Sequence, residues 1–333
     1  MSGIVTRRGL ALGSLALSVP AAMPGMARAQ DASGAPWPSK PVRVIVPFPP
    51  GGLVDTLARA VTQRMTAQLG QPVVVENRAG AGGNIGADVV VKSPPDGHTL
   101  LASALGPLAV NQYIYRSMPY DTQTAFAPIV LLAHTPKVFC VANARPWRDV
   151  GEVIAAAKAA PGRLTAGSAG AGSSLHLALE LFKQRTGVDI QHVPYRGAAP
   201  AVTDLVAGNI DMVIDNVPNI LGQIRGHGVR PLAVASPQRL PQLPEVPTMR
   251  EQGVDFVFGT AFGMAAPAGT PPAITGRVAE LVTAALHDPE IGGRFVEQGA
   301  QIGGGTPAQF AAVVEEERSL LEPVIRAAGI RAE

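Results

Sequence analysis

The chain has 333 residues, 47% of them hydrophobic and 16% charged, with 37 glycines, 31 prolines and one cysteine. That length allows one large or two medium domains, and the apolar fraction excludes a disordered chain. With Arg7, Arg8 and Arg28 set aside from the 27 basic residues, 24 face 25 acidic ones, which excludes a general nucleic-acid binder.

Arg7 and Arg8 precede the uncharged stretch GLALGSLALSV, and Pro20 and Ala27-Arg28-Ala29 follow it. A basic start, a short apolar run and a small-x-small site predict a signal peptide over 1–29, cleaved near Ala29. The run is about half the length of a membrane span, which argues against an anchor. TRRGLAL partly matches a twin-arginine signal, so both the Sec and the Tat route of export are open.

PVRVIVPF, ended by PPGG, predicts a strand, and LVDTLARAVTQRM places Leu53, Leu57, Val61 and Met65 at helical spacing. VVVENR and TLLASA predict further strands. GAGGNIG, between them, imitates a dinucleotide fingerprint, but Asn77-Arg78 separates it from its strand and no acidic ribose ligand follows. IVLLAH and KVFCVA read as strands, with Cys140 a small buried hydrophobe. RLTAGS predicts a strand, AGAGSS a turn, and LHLALELFKQRTG a helix closed by Gly187; IDMVID and PLAVAS are strands again. The alternation predicts an α/β fold with mainly parallel sheet.

The two glycine-rich turns, PPGG and AGAGSS, each join a strand to a helix, where open α/β sheets bind ligands. Helix N-termini receive anions through free N–H groups without a basic side chain. The pair is therefore either a two-sided anion clamp or ordinary tight-turn chemistry. Other motifs fail: there is no P-loop, and none of the six histidines pairs with another at i,i+4 to suggest a metal site. Ser168 in AGSAG lacks the first glycine of a nucleophile elbow. No metal or cofactor is expected.

PFPPGGLVDTLAR, VENRAGAGGNIGA, AGSAGAGSSLHLALELF, VPYRGAAPAVTDLVAGNIDMVID, LAVAS, VPTMREQG and APAGTPPAI occur in this order over about Pro41 to about Ile325. In order and spacing they resemble the Bug-type periplasmic solute-binding proteins of tripartite tricarboxylate transporters. The resemblance implies a two-lobed, type II-like periplasmic binding protein with mainly parallel sheets flanked by helices. Lobe 1 would comprise 30–138 and 254–333, lobe 2 would comprise 139–253, and the ligand cleft would lie between. It implies a monomeric receptor, not an enzyme, that captures a small organic anion by lobe closure and delivers it to integral membrane permease subunits. The anion class covers mono-, di- and tricarboxylates, amino acids and aromatic acids. A membrane sensor is the alternative partner. An exported hydrolase using the same cleft is the rival of another class, and it requires a base beside Ser173 or Ser174.

Carried over by resemblance, the first jaw is shaped by Pro49, Gly51 and Gly52, with backbone N–H groups near Gly52 and Leu53 facing a carboxylate. Asp55 either caps N–H groups, holds water or touches the ligand. The second jaw is Ala169, Gly170, Ala171, Gly172, Ser173 and Ser174, whose serines donate hydroxyls or cap the helix; His176, in the first turn of that helix, either packs, the favoured reading, or contacts the ligand. Ser103 and Asn111 are expected in the middle of the pocket, with Gln112 in place of the proline common after that asparagine. Tyr195, Arg196 and Gly197 of VPYRG join them. Arg196 either pairs with a second carboxylate or faces solvent. Asp215 either meets an amino or hydroxyl group or caps the next helix.

Overall fold

The computed structural model describes residues 37–332; the leader expected over 1–29 lies outside them. No helix among the described residues is long and apolar enough to cross a membrane.

The chain begins with β1 (Val42–Val46), α1 (Leu53–Leu69), β2 (Val73–Asn77), α2 (Asn84–Val91) and β3 (Thr99–Ala104). A π-helical turn over Gly106–Val110 leads into the short α3 (Asn111–Ile114). The chain then leaves this lobe along β4 (Phe126–Ala142). The second lobe holds α4 (Val150–Ala159), β5 (Thr165–Ser168), α5 (Ser174–Thr186), β6 (Gln191–Pro194), α6 (Ala198–Ala207), β7 (Met212–Asn216), α7 (Val217–Arg225) and β8 (Val229–Val234). The chain returns along β9 (Gly259–Pro267), and α8 (Pro272–Leu286), α9 (Pro289–Glu297), β10 (Gln301–Gly304) and α10 (Pro307–Ala328) complete the first lobe.

Local signals account for most of these elements. The helical spacing read at the start of α1 buries Leu57, Val61 and Met65. Gly187, at φ 66°, closes α5 in the left-handed conformation that suits glycine. Cys140 lies fully buried in β4.

Strand order is β2-β1-β3-β9-β4-β7-β5-β6, with β10 and β8 also on β4. Up to Pro136, β4 pairs with β9 and β10; from Lys137 it pairs with β7 and β8. The two strands expected from IVLLAH and KVFCVA are thus one, and the proline between them, which has no N–H to donate, sits where the partners change. Pairings of β1 with β2 and β3, and of β5 with β6 and β7, are parallel. Every pairing made by β4 or β9 is antiparallel. The sheet is therefore mixed rather than mainly parallel, because a chain that passes out along β4 and back along β9 lays the two side by side in opposite directions.

α10 packs across β4. Its first turn carries a capping box between Thr306 and Gln309, and its Phe310 ring is fully buried against Gly263 of β9, where an added Cβ would overlap the ring. That close approach is what requires glycine in β9. Gly263→Ala is expected to lower stability by about 1–3 kcal/mol, as overpacked cores do. The check is a lower denaturant midpoint at unchanged slope.

Candidate functional site

The strand ends of both lobes open on a cavity of about 550 Å³, within the range of small-molecule sites. One wall is the start of α1, with Gly52, Leu53 and Val54; the facing wall is the start of α5, with Ala171, Gly172, Ser173, Ser174 and Leu175. Phe48, Leu105, Val110 and Phe262 supply apolar surface, and Asn111, Asn216, Thr260 and Glu317 supply polar groups.

Gly52 is the N-cap of α1 and offers no side-chain cap, so the first N–H groups of that helix lack intrahelical partners. Asp55, 2% exposed, does not line the cavity. Its carboxylate accepts from Gly51 N–H at 3.0 Å, Asn77 Nδ2 at 2.9 Å and Arg59 Nε at 3.1 Å. Burial alone would raise this carboxyl, and the hydrogen bonds from Arg59, Gly51 and Asn77 outweigh it and hold the group below its ordinary value. Asp55 therefore braces the PPGG turn. Gly51 opens on a neighbouring depression bordered by α7 and α9, and Pro49 is exposed.

The second jaw is shaped from behind by two imidazoles. His176 and His192 stack with ring centroids 3.7 Å apart. Gly172 N–H donates to His176 Nδ1 at 3.1 Å, and His192 Nε2 lies 2.6 Å from Ser168 Oγ, which accepts from Gly170 N–H. Ser173 caps α5 by accepting from His176 N–H at 3.3 Å. Desolvation, with Lys183 adding to it, lowers His176 to about 4; desolvation, then the neighbouring His176, lowers His192 to about 4. His176 supports the jaw without lining the cavity.

Of the remaining expected residues, Ala169 and Asn111 line the cavity. Asn111 Nδ2 donates to Asn84 Oδ1 at 2.6 Å, which fixes the head of α3. Ser103 is buried behind the cavity and donates to Ala104 O. Gly170, at φ 122°, does not line the cavity. Tyr195 turns away, its hydroxyl donating to Asp204 Oδ2 at 2.6 Å. Arg196 is exposed, and Gly197 is the N-cap of α6. Asp215 is fully buried and accepts from Asn216 N–H and Asn219 Nδ2, so it braces the start of α7 and does not face the cavity.

The sequence reading missed Lys137, the lone charge in an apolar run. It is fully buried, and Nζ donates to Asn216 Oδ1 at 2.9 Å, Thr260 Oγ1 at 3.0 Å and Ser174 Oγ at 3.1 Å. Desolvation lowers it to about 8, opposed by Asp215 and Glu317. Burial in turn raises Asp215. Glu317, on α10, was missed as well.

A profile described as the tripartite tricarboxylate transporter family receptor matches residues 57–330. Protein BugT of Bordetella pertussis is 38% identical over 297 residues, covering 89% of this chain and 91% of BugT. The solved structure of R. palustris Rpa4515 with adipate is 38% identical, with a TM-score of 0.79 over 89% of this chain and 100% of that one. MatC from Rhodopseudomonas palustris, with bound malate, is 33% identical, with a TM-score of 0.76 over 87% and 100%.

Stability is expected to respond to the stacked imidazoles. Their folded values lie below the ordinary 6.5, so the unfolded chain binds protons first as pH falls. Their contribution is complete above about 6.5 and is lost as pH falls toward about 4, on the order of 3 kcal/mol. Melting temperature should decline over that window, and His192→Asn should make the decline shallower.

Proposed function

The chain belongs to the tripartite tricarboxylate transporter receptor family, and from that premise we propose that it captures a small aliphatic carboxylate between its lobes in the periplasm and delivers it to permease subunits in the membrane. The observation that carries this reading is the meeting of two helix N-termini, from opposite lobes, on one cavity. One carboxylate accepts from the free N–H groups at the start of α1. A second meets those of Ser174 and Leu175 with the Ser174 hydroxyl. The apolar surface of Phe48, Leu105, Val110 and Phe262 suits the methylenes between. Adipate and malate, bound by the two R. palustris proteins, are both dicarboxylates.

In this reading the lobes are 30–138 with 254–333, and 139–253, and the chain acts as a monomer. Closure is favoured by the ligand because only the closed arrangement completes both sets of contacts. Gly172 supports such a fit: at φ 73°, an added Cβ would come within 2.9 Å of Ile114 Cγ2 in the opposite lobe.

The hydrolase reading has one observation in its favour, the amine of Lys137 at 3.1 Å from Ser174 Oγ. A base must accept a proton, however, and an amine titrating at about 8 is about nine-tenths protonated at pH 7. Its three hydrogen bonds to oxygens also match the three donors of an ammonium.

A thermal-shift and calorimetric series of C4–C6 dicarboxylates should raise the melting temperature and give one site per chain. Gly172→Ala should weaken the best ligand by on the order of tenfold with the fold intact. Turnover of p-nitrophenyl esters at pH 7 should not exceed that of Ser174→Ala. A Ser174-dependent rate climbing through pH 8 would establish the hydrolase instead.

A further inference from the structure

Glu317 is the only side chain among the described residues lining the cavity that belongs to Asp, Glu, Lys, Arg or His. Its presence runs against a site built for anions. It is half-buried, reaching solvent through the cleft, and it accepts no hydrogen bond from any described residue. The nearby cation does not serve it, because all three donors of Lys137 are committed to Ser174, Asn216 and Thr260. The carboxylate thus meets the cleft without a donor from the protein, so the cavity wall holds an unused acceptor beside two anion-binding helix ends.

Resting on the receptor reading above, we propose that Glu317 is a specificity-determining residue, accepting a hydrogen bond from an ammonium or hydroxyl group on the carbon chain of the ligand. The preferred ligand is then an amino- or hydroxy-substituted carboxylate, and an unsubstituted dicarboxylate is disfavoured, since it leaves Glu317 unpaired and adds negative charge beside it. α10 holds Glu317 in place through the buried Phe310 and the capping box at its start.

Burial raises the Glu317 carboxyl to about 7, with Lys137 opposing the shift and Glu316 adding to it. The other titratable groups on elements packed against α10 are His134 and Cys140 on β4, His176, Glu180, Lys183 and Arg185 on α5, Tyr113 on α3, and Arg277 and Glu280 on α8; none is among the causes of that shift. His176, at about 4, stays neutral between pH 6 and 7.5. Over that interval an ionising Glu317 should strengthen binding of an ammonium-bearing ligand and weaken binding of an unsubstituted one.

The test is calorimetric titration of the full mature chain with two series, succinate, malate and aspartate, and glutarate, 2-hydroxyglutarate and glutamate, at pH 6.0 and 7.5. The same titrations are made on Glu317→Gln after its melting temperature shows a folded protein. The expected result is a preference on the order of tenfold for a substituted acid, the worth of a hydrogen bond to a charged group. The amino acid and the unsubstituted acid should show opposite pH slopes, and both effects should shrink in Glu317→Gln. An unsubstituted acid bound as tightly as its substituted partners, or a preference unchanged in Glu317→Gln, overturns the assignment while leaving the receptor reading in place. Binding of no acid in either series overturns both.

Discussion

Lys137 carries its ammonium where β4 passes from one lobe to the other, out of reach of water, and the cleft is arranged around that charge. An uncompensated buried charge costs several kcal/mol, so the three donors of Lys137 must all find acceptors. Ser174 comes from the first turn of α5, Asn216 from the end of β7 and Thr260 from the start of β9. The charge is satisfied only when those three elements converge, and their convergence forms the floor of the cavity. Because Ser174 Oγ accepts from Lys137, its own proton is left to point elsewhere, and Ser174 lines the cavity.

The same economy of charge runs through both jaws. Asp55 is spent on Gly51, Asn77 and Arg59, and the imidazoles of His176 and His192 are held neutral behind the second loop. Neither jaw presents a lysine or arginine to the cavity. In the proposed binding mode an anion meets backbone N–H groups whose positions are fixed by helix geometry, with no long side chain to be ordered on binding. Glu317 is the exception, the one carboxylate among the described residues on the cavity wall, and it accepts no hydrogen bond from any of them.

Most of the fold was legible in the sequence because the deciding signals are local. The apolar spacing of α1, the glycine that ends α5 and the turns that start both helices each act within a few residues. The single long β4 was not, since its two halves are read as separate strands until their partners are known. At the site, the glycine-rich turns were legible and the side chains between them were not. Thr260 and Lys137 stand 123 positions apart in sequence, and no local pattern joins them. Strand alternation explains two near misses: Asp215 and Ser103 were expected in the pocket, but their neighbours Asn216 and Ala104 line it. Tyr195 and Arg196 lie at the right loop, but one is drawn to Asp204 and the other faces solvent.

The central claim is that one ligand is held by backbone N–H groups of both lobes at once. It is tested most directly by an amide-resolved ¹H–¹⁵N NMR titration with the tightest-binding dicarboxylate or substituted acid. The account predicts that the amides of Leu53 and Val54 in one lobe and of Ser174 and Leu175 in the other shift together along a single binding curve. Shifts confined to one lobe, or separate curves for the two sets, would contradict it.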